Sequence, residues 1–264
     1  MFSFILSHKS ANPDSVMESL TNYEILSCRG NNTVILGTLN DKLSIVLVQG
    51  KEIELNEIEK LKTEKYEVTL MITPYMRMVS AHYTLRVISP CSEHHIKKYG
   101  KPKYRSETYD EYLLYLQQDK LSSNWIQKIK DGEYEIPIHV DSRFIVINDY
   151  KWDMSDVSQL YLLLIFKDQG LFTVRELNLN LIVDAKKTAL QVLNTIYGLS
   201  EQDVLMYFHY RPSYYTLHLH IVNLERKMEY GMMVGRAILL DDVIENLKID
   251  PLYYQKRKLF YVGV

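Results

Sequence analysis

Ten residues constrain this chain more than any others: Tyr214–Asn223 reads Tyr-Tyr-Thr-Leu-His-Leu-His-Ile-Val-Asn. Apolar and polar side chains alternate there with the period of a β-strand, in which successive side chains point to opposite faces. Tyr215, Leu217, Leu219 and Ile221 share the face that packs into a core, and Thr216, His218 and His220 share the other. Two imidazoles side by side on a buried face are costly without partners, so they require a phosphate, a metal or a carboxylate. Just upstream lies His209-Tyr210-Arg211-Pro212-Ser213. Arg211–Ser213 makes a tight connection between two strands, which puts His209 on the neighbouring strand and the Ser213 hydroxyl at the turn. An additional imidazole and a hydroxyl suit a phosphate, an acceptor of charge-assisted hydrogen bonds. Two alternatives stay open on these residues alone. One is a set of core histidines satisfied by backbone carbonyls; the other is a His-x-His metal site, for which no third ligand of good spacing is evident.

The rest of the chain bounds the setting. Its 264 residues fit one or two domains, and 47% hydrophobic with 24% charged residues is a globular balance that argues against disorder. A net charge of -2 lacks the basic excess of a generic nucleic-acid binder, so a nucleotide is expected in a pocket rather than along a groove. Cys28 and Cys91 are too few and too isolated for a disulfide framework or a zinc knuckle, and read as reduced thiols of a cytosolic or nuclear protein. The short apolar run Met1–Leu6 lacks the flanks of a signal peptide, and no run approaches the ~20 residues that cross a bilayer. A soluble, internal protein with no membrane partner is expected.

Strands are predicted at Tyr23–Cys28, Thr33–Leu39, Lys42–Gln49, Glu67–Ile72 and His82–Ile88, with Asn40–Asp41 as a hairpin connection and a polar helix over Glu54–Lys62. Ser92 caps a short helix to Tyr99. Lys97, Lys98, Lys101, Lys103 and Arg105 then cluster around Gly100 and Pro102, either as a solvated linker or as a hinge leaning toward a polyphosphate. Further on, a strand is predicted at Arg143–Ile147 and a helix over Asp156–Lys167 capped by Ser155. Thr173 and Glu176 have capping-box spacing. A helix over Leu181–Tyr197 carries Leu181, Ile182, Ala185, Ala189, Val192 and Ile196 near one face, with Gly198 ending it. Strands at Val204–Tyr210 and Tyr214–Asn223 and a helix from Ala237 to Leu247 complete the reading.

The segment His209–His220 resembles the histidine-triad motif of the scavenger mRNA decapping enzymes, His-x-His-x-His preceded by His-Tyr-x-Pro-Ser-Tyr-Tyr. Asn148–Asp153 is similar to that family's Pro-Asp-Leu-Lys-Trp segment, Gly235–Leu247 to its Glu-Arg-Ala-x-Leu-Leu helix, Asp250–Arg257 to the stretch after it, and Ile88–Tyr99 to its hinge. The resemblance runs over residues 85–264, and the N-terminal strands fit in outline. It implies an α+β fold: a strand-rich N-terminal domain (1–90) exchanged in a homodimer, a basic hinge (91–105), and a C-terminal histidine-triad domain (106–264) with an antiparallel sheet.

The resemblance also implies an activity: hydrolysis of the triphosphate bridge of short capped mRNA fragments or cap dinucleotides, without metal or other cofactor. The products are 7-methylguanosine monophosphate and a nucleoside diphosphate. By position His218 is the nucleophile, and His220 and His209 assist. Ser213, Arg236, Lys98 and Tyr99 match positions near the phosphates, Arg236 offering a guanidinium fork. Trp125 matches the Trp that stacks on the cationic cap base, Glu135 the carboxylate on its Watson–Crick edge, and Asp149 and Lys151 the pocket wall. One departure stands out: the first triad His is Thr216 here. That keeps a non-catalytic cap-binding regulator in play. Another triad hydrolase, acting on dinucleotide polyphosphates, fits less well, because Trp125, Glu135 and the long N-terminal region are foreign to minimal triad enzymes. Cytoplasmic and nuclear residence are both compatible with these features.

Overall fold

Asn40 and Asp41 both hold positive φ, 46° and 62°, a conformation that short polar side chains tolerate and that two-residue hairpins need. The connection they form sets the register of the N-terminal sheet. The computed structural model describes residues 16–28, 31–72, 74–117, 129, 137–149, 151–152 and 154–263. It divides into two compact units, Met1–Lys103 with Val264, and Tyr104–Gly263.

In the first unit, β1 (Thr21–Cys28), β2 (Thr33–Leu39), β3 (Lys42–Gln49), β4 (Glu67–Ile72), β5 (Tyr75–Val79) and β6 (Thr84–Ile88) form an antiparallel sheet of order β1-β2-β3-β6-β5-β4. Alternation along β2 and β3 divides their buried side chains between two clusters. Ile35, Val46 and Val48 join Met17, Leu20 and the residues Ile58 and Leu61 of helix α1 (Ile58–Thr63). Val34, Ile45 and Ile88 join Ile96 and Tyr99 of helix α2 (Glu93–Tyr99), which Ser92 caps by accepting from His95 N.

The second unit begins with β7 (Lys103–Glu107) and α3 (Tyr109–Leu116), capped by Thr108. Next come β8 (His139–Val140), β9 (Phe144–Asn148) and β10 (Tyr161–Phe166). The expected helix over Asp156–Lys167 is corrected here. Asp156, not Ser155, caps a single 3-10 turn, Val157–Gln159, and the chain then enters β10. All six residues of β10 are buried. A run that is apolar all round has no polar face for a surface helix, and suits a strand covered on both sides.

Thr173 and Glu176 do form a capping box, on the 3-10 turn Val174–Glu176. Helix α4 (Leu179–Val192) starts afresh two residues later, with Asn178 accepting from Leu181 N at 2.9 Å. Leu181, Ile182, Ala185, Ala189 and Val192 make its buried stripe. Ile196, expected on that stripe, is exposed. The last turn, Leu193–Tyr197, widens to a π-helix and rotates the side chains out of register before Gly198 (φ 68°) ends it.

The unit closes with β11 (Val204–His209), β12 (His218–Asn223), β13 (Ala237–Leu239), α5 (Leu240–Ile249), α6 (Tyr253–Lys256) and β14 (Leu259–Gly263). Its main sheet is antiparallel, with order β13-β11-β12-β10-β9-β8, and β14 pairs with β7 in a ribbon. The helix expected from Ala237 thus begins at Leu240, because Ala237–Leu239 pairs with β11, Ile238 opposite Phe208. The second histidine strand is shorter than expected as well: β12 begins at His218, and Thr216 lies before it.

Candidate active site

Register decides which side chains meet. His220 stands opposite Leu163 of β10 on one side and Tyr207 of β11 on the other, and His218 stands opposite Ile165. Residues paired across a sheet share a face, so Tyr207, His218 and His220 gather on one surface. His209, two residues beyond Tyr207, joins them. The imidazole centres of His209 and His220 lie 4.3 Å apart, and those of His218 and His220 4.8 Å.

Each ring is oriented by a different anchor. His218 is buried, and its Nδ1 lies 2.7 Å from the Thr216 carbonyl. A carbonyl only accepts, so Nδ1 carries the proton and Nε2 keeps its lone pair. His209 Nδ1 likewise donates to the Arg236 carbonyl at 3.3 Å. His220 stacks on the Tyr207 ring at 5.1 Å, and its Nδ1 is 2.9 Å from the Tyr161 hydroxyl, itself 3.0 Å from that of Tyr207. His220 Nε2 is buried and meets no hydrogen-bond partner among the described residues. Burial pushes all three imidazoles down. His209 falls to about 3 under burial and then the His218 and Arg236 charges. His218 falls through burial alone, against its bond to Thr216. His220 falls well below the usual histidine range, through burial and then through its neighbours His209 and His218. At pH 7 the site therefore presents neutral imidazoles, the form in which a ring nitrogen is nucleophilic.

The connection between β11 and β12 is held from below. The buried Glu107 carboxylate accepts from the Tyr210 hydroxyl and from Arg211 Nη2, and the fully buried Arg175 lies 3.8 Å away. Arg175 also donates to Tyr210 Oη at 2.7 Å and to the Glu107 carbonyl at 2.9 Å, while Arg211 lies 4.1 Å from the Tyr115 ring centre. Residues 210–211, directly after His209, are thus clamped to β7.

Of the residues singled out in the sequence, His209, His218 and His220 come together, and Arg236 joins through its carbonyl. The Arg236 guanidinium donates to the Val262 carbonyl at 2.8 Å and lies 5.4 Å from the Tyr230 ring. Ser213 is exposed in the connection. Asp149 is buried just after β9 and accepts from Lys151 N at 3.0 Å. Burial raises its carboxyl above the usual range, against the pull of Lys151. Lys151 Nζ lies 4.9 Å from the Tyr161 ring centre, on the residue that holds His220. Lys98 and Tyr99 belong to α2 in the first unit, where the Tyr99 carbonyl accepts from Ser27 at 2.6 Å. Trp125 and Glu135 lie outside the described residues. Thr216 acts on His218 through its carbonyl rather than its hydroxyl. Sequence reasoning missed Tyr161 and Tyr207. Tyr207 is two residues before His209 on a strand already recognised, so alternation was the available signal; Tyr161 was hidden by the helical reading of its segment.

The family model for the scavenger mRNA decapping enzyme C-terminal binding region matches residues 124–234. The chain is 33% identical over 192 residues to the m7GpppX diphosphatase of Ascaris suum, covering 67% of this chain and 64% of that protein. It is 33% identical over 156 residues to the Caenorhabditis elegans m7GpppX diphosphatase, covering 56% and 50%. With the m7GpppX diphosphatase of Rattus norvegicus the match is 30% over 249 residues, 85% of this chain and 74% of that one. This chain belongs to the scavenger mRNA decapping enzyme family. The matches span 64% and 50% of the Ascaris and Caenorhabditis proteins, so they leave part of those relatives uncovered. The three imidazoles cluster on one face of the sheet, with Lys151 over the Tyr161 ring and Asp149 N donating to the Tyr161 carbonyl at 2.9 Å.

Proposed function

We propose that this protein hydrolyses the triphosphate bridge of short capped RNA fragments or cap dinucleotides, with His218 as nucleophile. One observation carries the reading: the buried His218 ring donates through Nδ1 to the Thr216 carbonyl, leaving Nε2 with its lone pair beside two further neutral imidazoles. The kinship with m7GpppX diphosphatases supports the substrate class. In the first step His218 Nε2 attacks the phosphorus nearest 7-methylguanosine. An N–P bond forms, the P–O bond to the next phosphate breaks, and a nucleoside diphosphate leaves. Water then attacks the same phosphorus, the N–P bond breaks, and 7-methylguanosine monophosphate departs with a proton lost to solvent. Splitting the displacement into two steps lowers each barrier. His220 donates through Nε2 as charge builds on the phosphoryl oxygens, Arg236 and Ser213 add donors, and His209 does so once the bound phosphate draws a proton onto its Nε2. Trp125 stacks on the methylated base, Glu135 accepts from its edge, and Asp149 and Lys151 form the wall.

The test is turnover of a methylated cap dinucleotide in excess chelator, beside the unmethylated dinucleotide and a His218→Asn variant. Wild type should release 7-methylguanosine monophosphate despite the chelator, and His218→Asn should lose about 10³-fold or more in kcat. Turnover that survives in His218→Asn would sink the assignment of the nucleophile. Thr216 favours one second reading, a cap-binding regulator of mRNA decay without turnover; tight, methyl-selective binding with no product would establish it instead. The proposal includes a homodimer with exchanged N-terminal segments, and light scattering that gives one chain mass at micromolar concentration would refute that part.

A further inference from the structure

Glu229 stands at a junction. Its carboxylate lies 3.1 Å from Lys151 Nζ and 2.9 Å from Arg226 Nη2. Burial works to raise its pKa, but the two cations outweigh it and hold the carboxyl below its usual range. Both cations lie against one ring, Lys151 Nζ at 4.9 Å and Arg226 Cζ at 5.1 Å from the centre of Tyr161. The hydroxyl of that ring is 2.9 Å from His220 Nδ1. Arg226 also donates to the Gln159 carbonyl at 2.6 Å, on the turn that leads into β10.

A second connection leaves from the main chain of the same residue. The Glu229 carbonyl accepts from the Met232 backbone N–H at 2.9 Å and closes the 3-10 turn Tyr230–Met232. Gly231, within that turn, lies directly against His209: a Cβ at Gly231 would stand 2.8 Å from His209 Cε1. Only a residue without a side chain fits there without displacing the ring. The carboxylate therefore reaches the Lys151 wall directly and His220 through Tyr161, while the main chain of the same residue carries Gly231 against His209.

We propose that Glu229 is a positioning residue whose carboxylate fixes the Lys151 ammonium on the pocket wall and seats His220 through Tyr161. The assignment rests on the cap-hydrolase reading for its substrate, though the seating of His220 does not depend on it. A rim ion pair that served only solubility would leave the imidazoles unmoved when its charge is removed.

The decisive measurement is the NMR spectrum of the histidine ring nitrogens in the full chain without ligand, for wild type, Glu229→Gln and Gly231→Ala. Glu229→Gln should move the His220 resonances and leave His218, anchored on the Thr216 carbonyl, in place. Gly231→Ala, which leaves the carboxylate intact, should move His209 instead. Unchanged His220 signals in a folded Glu229→Gln variant overturn the proposal. A second arm follows binding of the methylated cap dinucleotide. Loss of the Glu229 charge should weaken it about 10-fold, the scale of one charge-assisted hydrogen bond. That loss should largely vanish in a Lys151→Met background, since coupled residues are non-additive. Fully additive losses overturn the link to Lys151. A wild-type chain that binds no cap dinucleotide defeats the functional reading, and the NMR arm still decides whether Glu229 seats His220.

Discussion

His209, His218 and His220 are kept neutral mainly by burial, and that has a thermodynamic consequence. His209 titrates at about 3 in the folded chain against 6.5 for a free side chain. Between those two values the unfolded chain binds a proton that the folded chain refuses, so stability falls as pH falls. For His209 the loss reaches about 2 kcal/mol by pH 5 relative to pH 7.5. Urea unfolding at the two pH values, compared with a His209→Gln variant, should show a smaller acid loss in the variant. Thr216 presents a different case. Its main chain, not its side chain, fixes the His218 tautomer. Thr216→Ala should therefore change the turnover of a competent enzyme by no more than about tenfold, or ~1.4 kcal/mol; a loss near that of His218→Asn would mean that the hydroxyl takes part.

At the scale of elements, the site depends on β10 lying between β12 and β9, because β10 supplies Tyr161 to His220. Leu164, fully buried at its centre opposite Leu219 and Val146, is the position to probe. Leu164→Ala should cost about 2–5 kcal/mol by chemical denaturation, the range for a buried leucine. A cost below ~1 kcal/mol would argue that the strand is less tightly enclosed than this. The two histidine strands were legible because alternation of apolar and polar residues specifies a face without further information. β10 was not, since a short apolar run reads equally as a buried strand or part of a buried helix. The π turn at Leu193–Tyr197 was illegible for a related reason: the period of α4 carries on into it, and only the backbone shows that the turn widens.

At the scale of the second unit as a whole, four distant segments converge on Glu107 and Arg175: β7, the turn at Val174–Glu176, the connection after β11, and the carbonyls of Tyr254 and Arg257. Removing one partner leaves a buried charge uncompensated, so Glu107→Ala should destabilise the unit by about 3–5 kcal/mol. Its melting temperature should drop, with turnover falling alongside as residues 210–213 lose their anchor. An unchanged melting temperature would show that the cluster is not a structural tie. Glu107, Arg175 and Arg211 are far apart in the chain and carry no periodic signal, so no reading of local pattern could pair them. The sequence by itself determined the histidine-bearing strands, the hairpin at Asn40–Asp41 and the family, because each is encoded in contiguous residues. The tertiary structure alone decided which groups orient the imidazoles: the Thr216 carbonyl, Tyr161, Tyr207 and Gly231. Strand register and burial bring those atoms together across the sheet, and neither distance nor desolvation is written in local sequence.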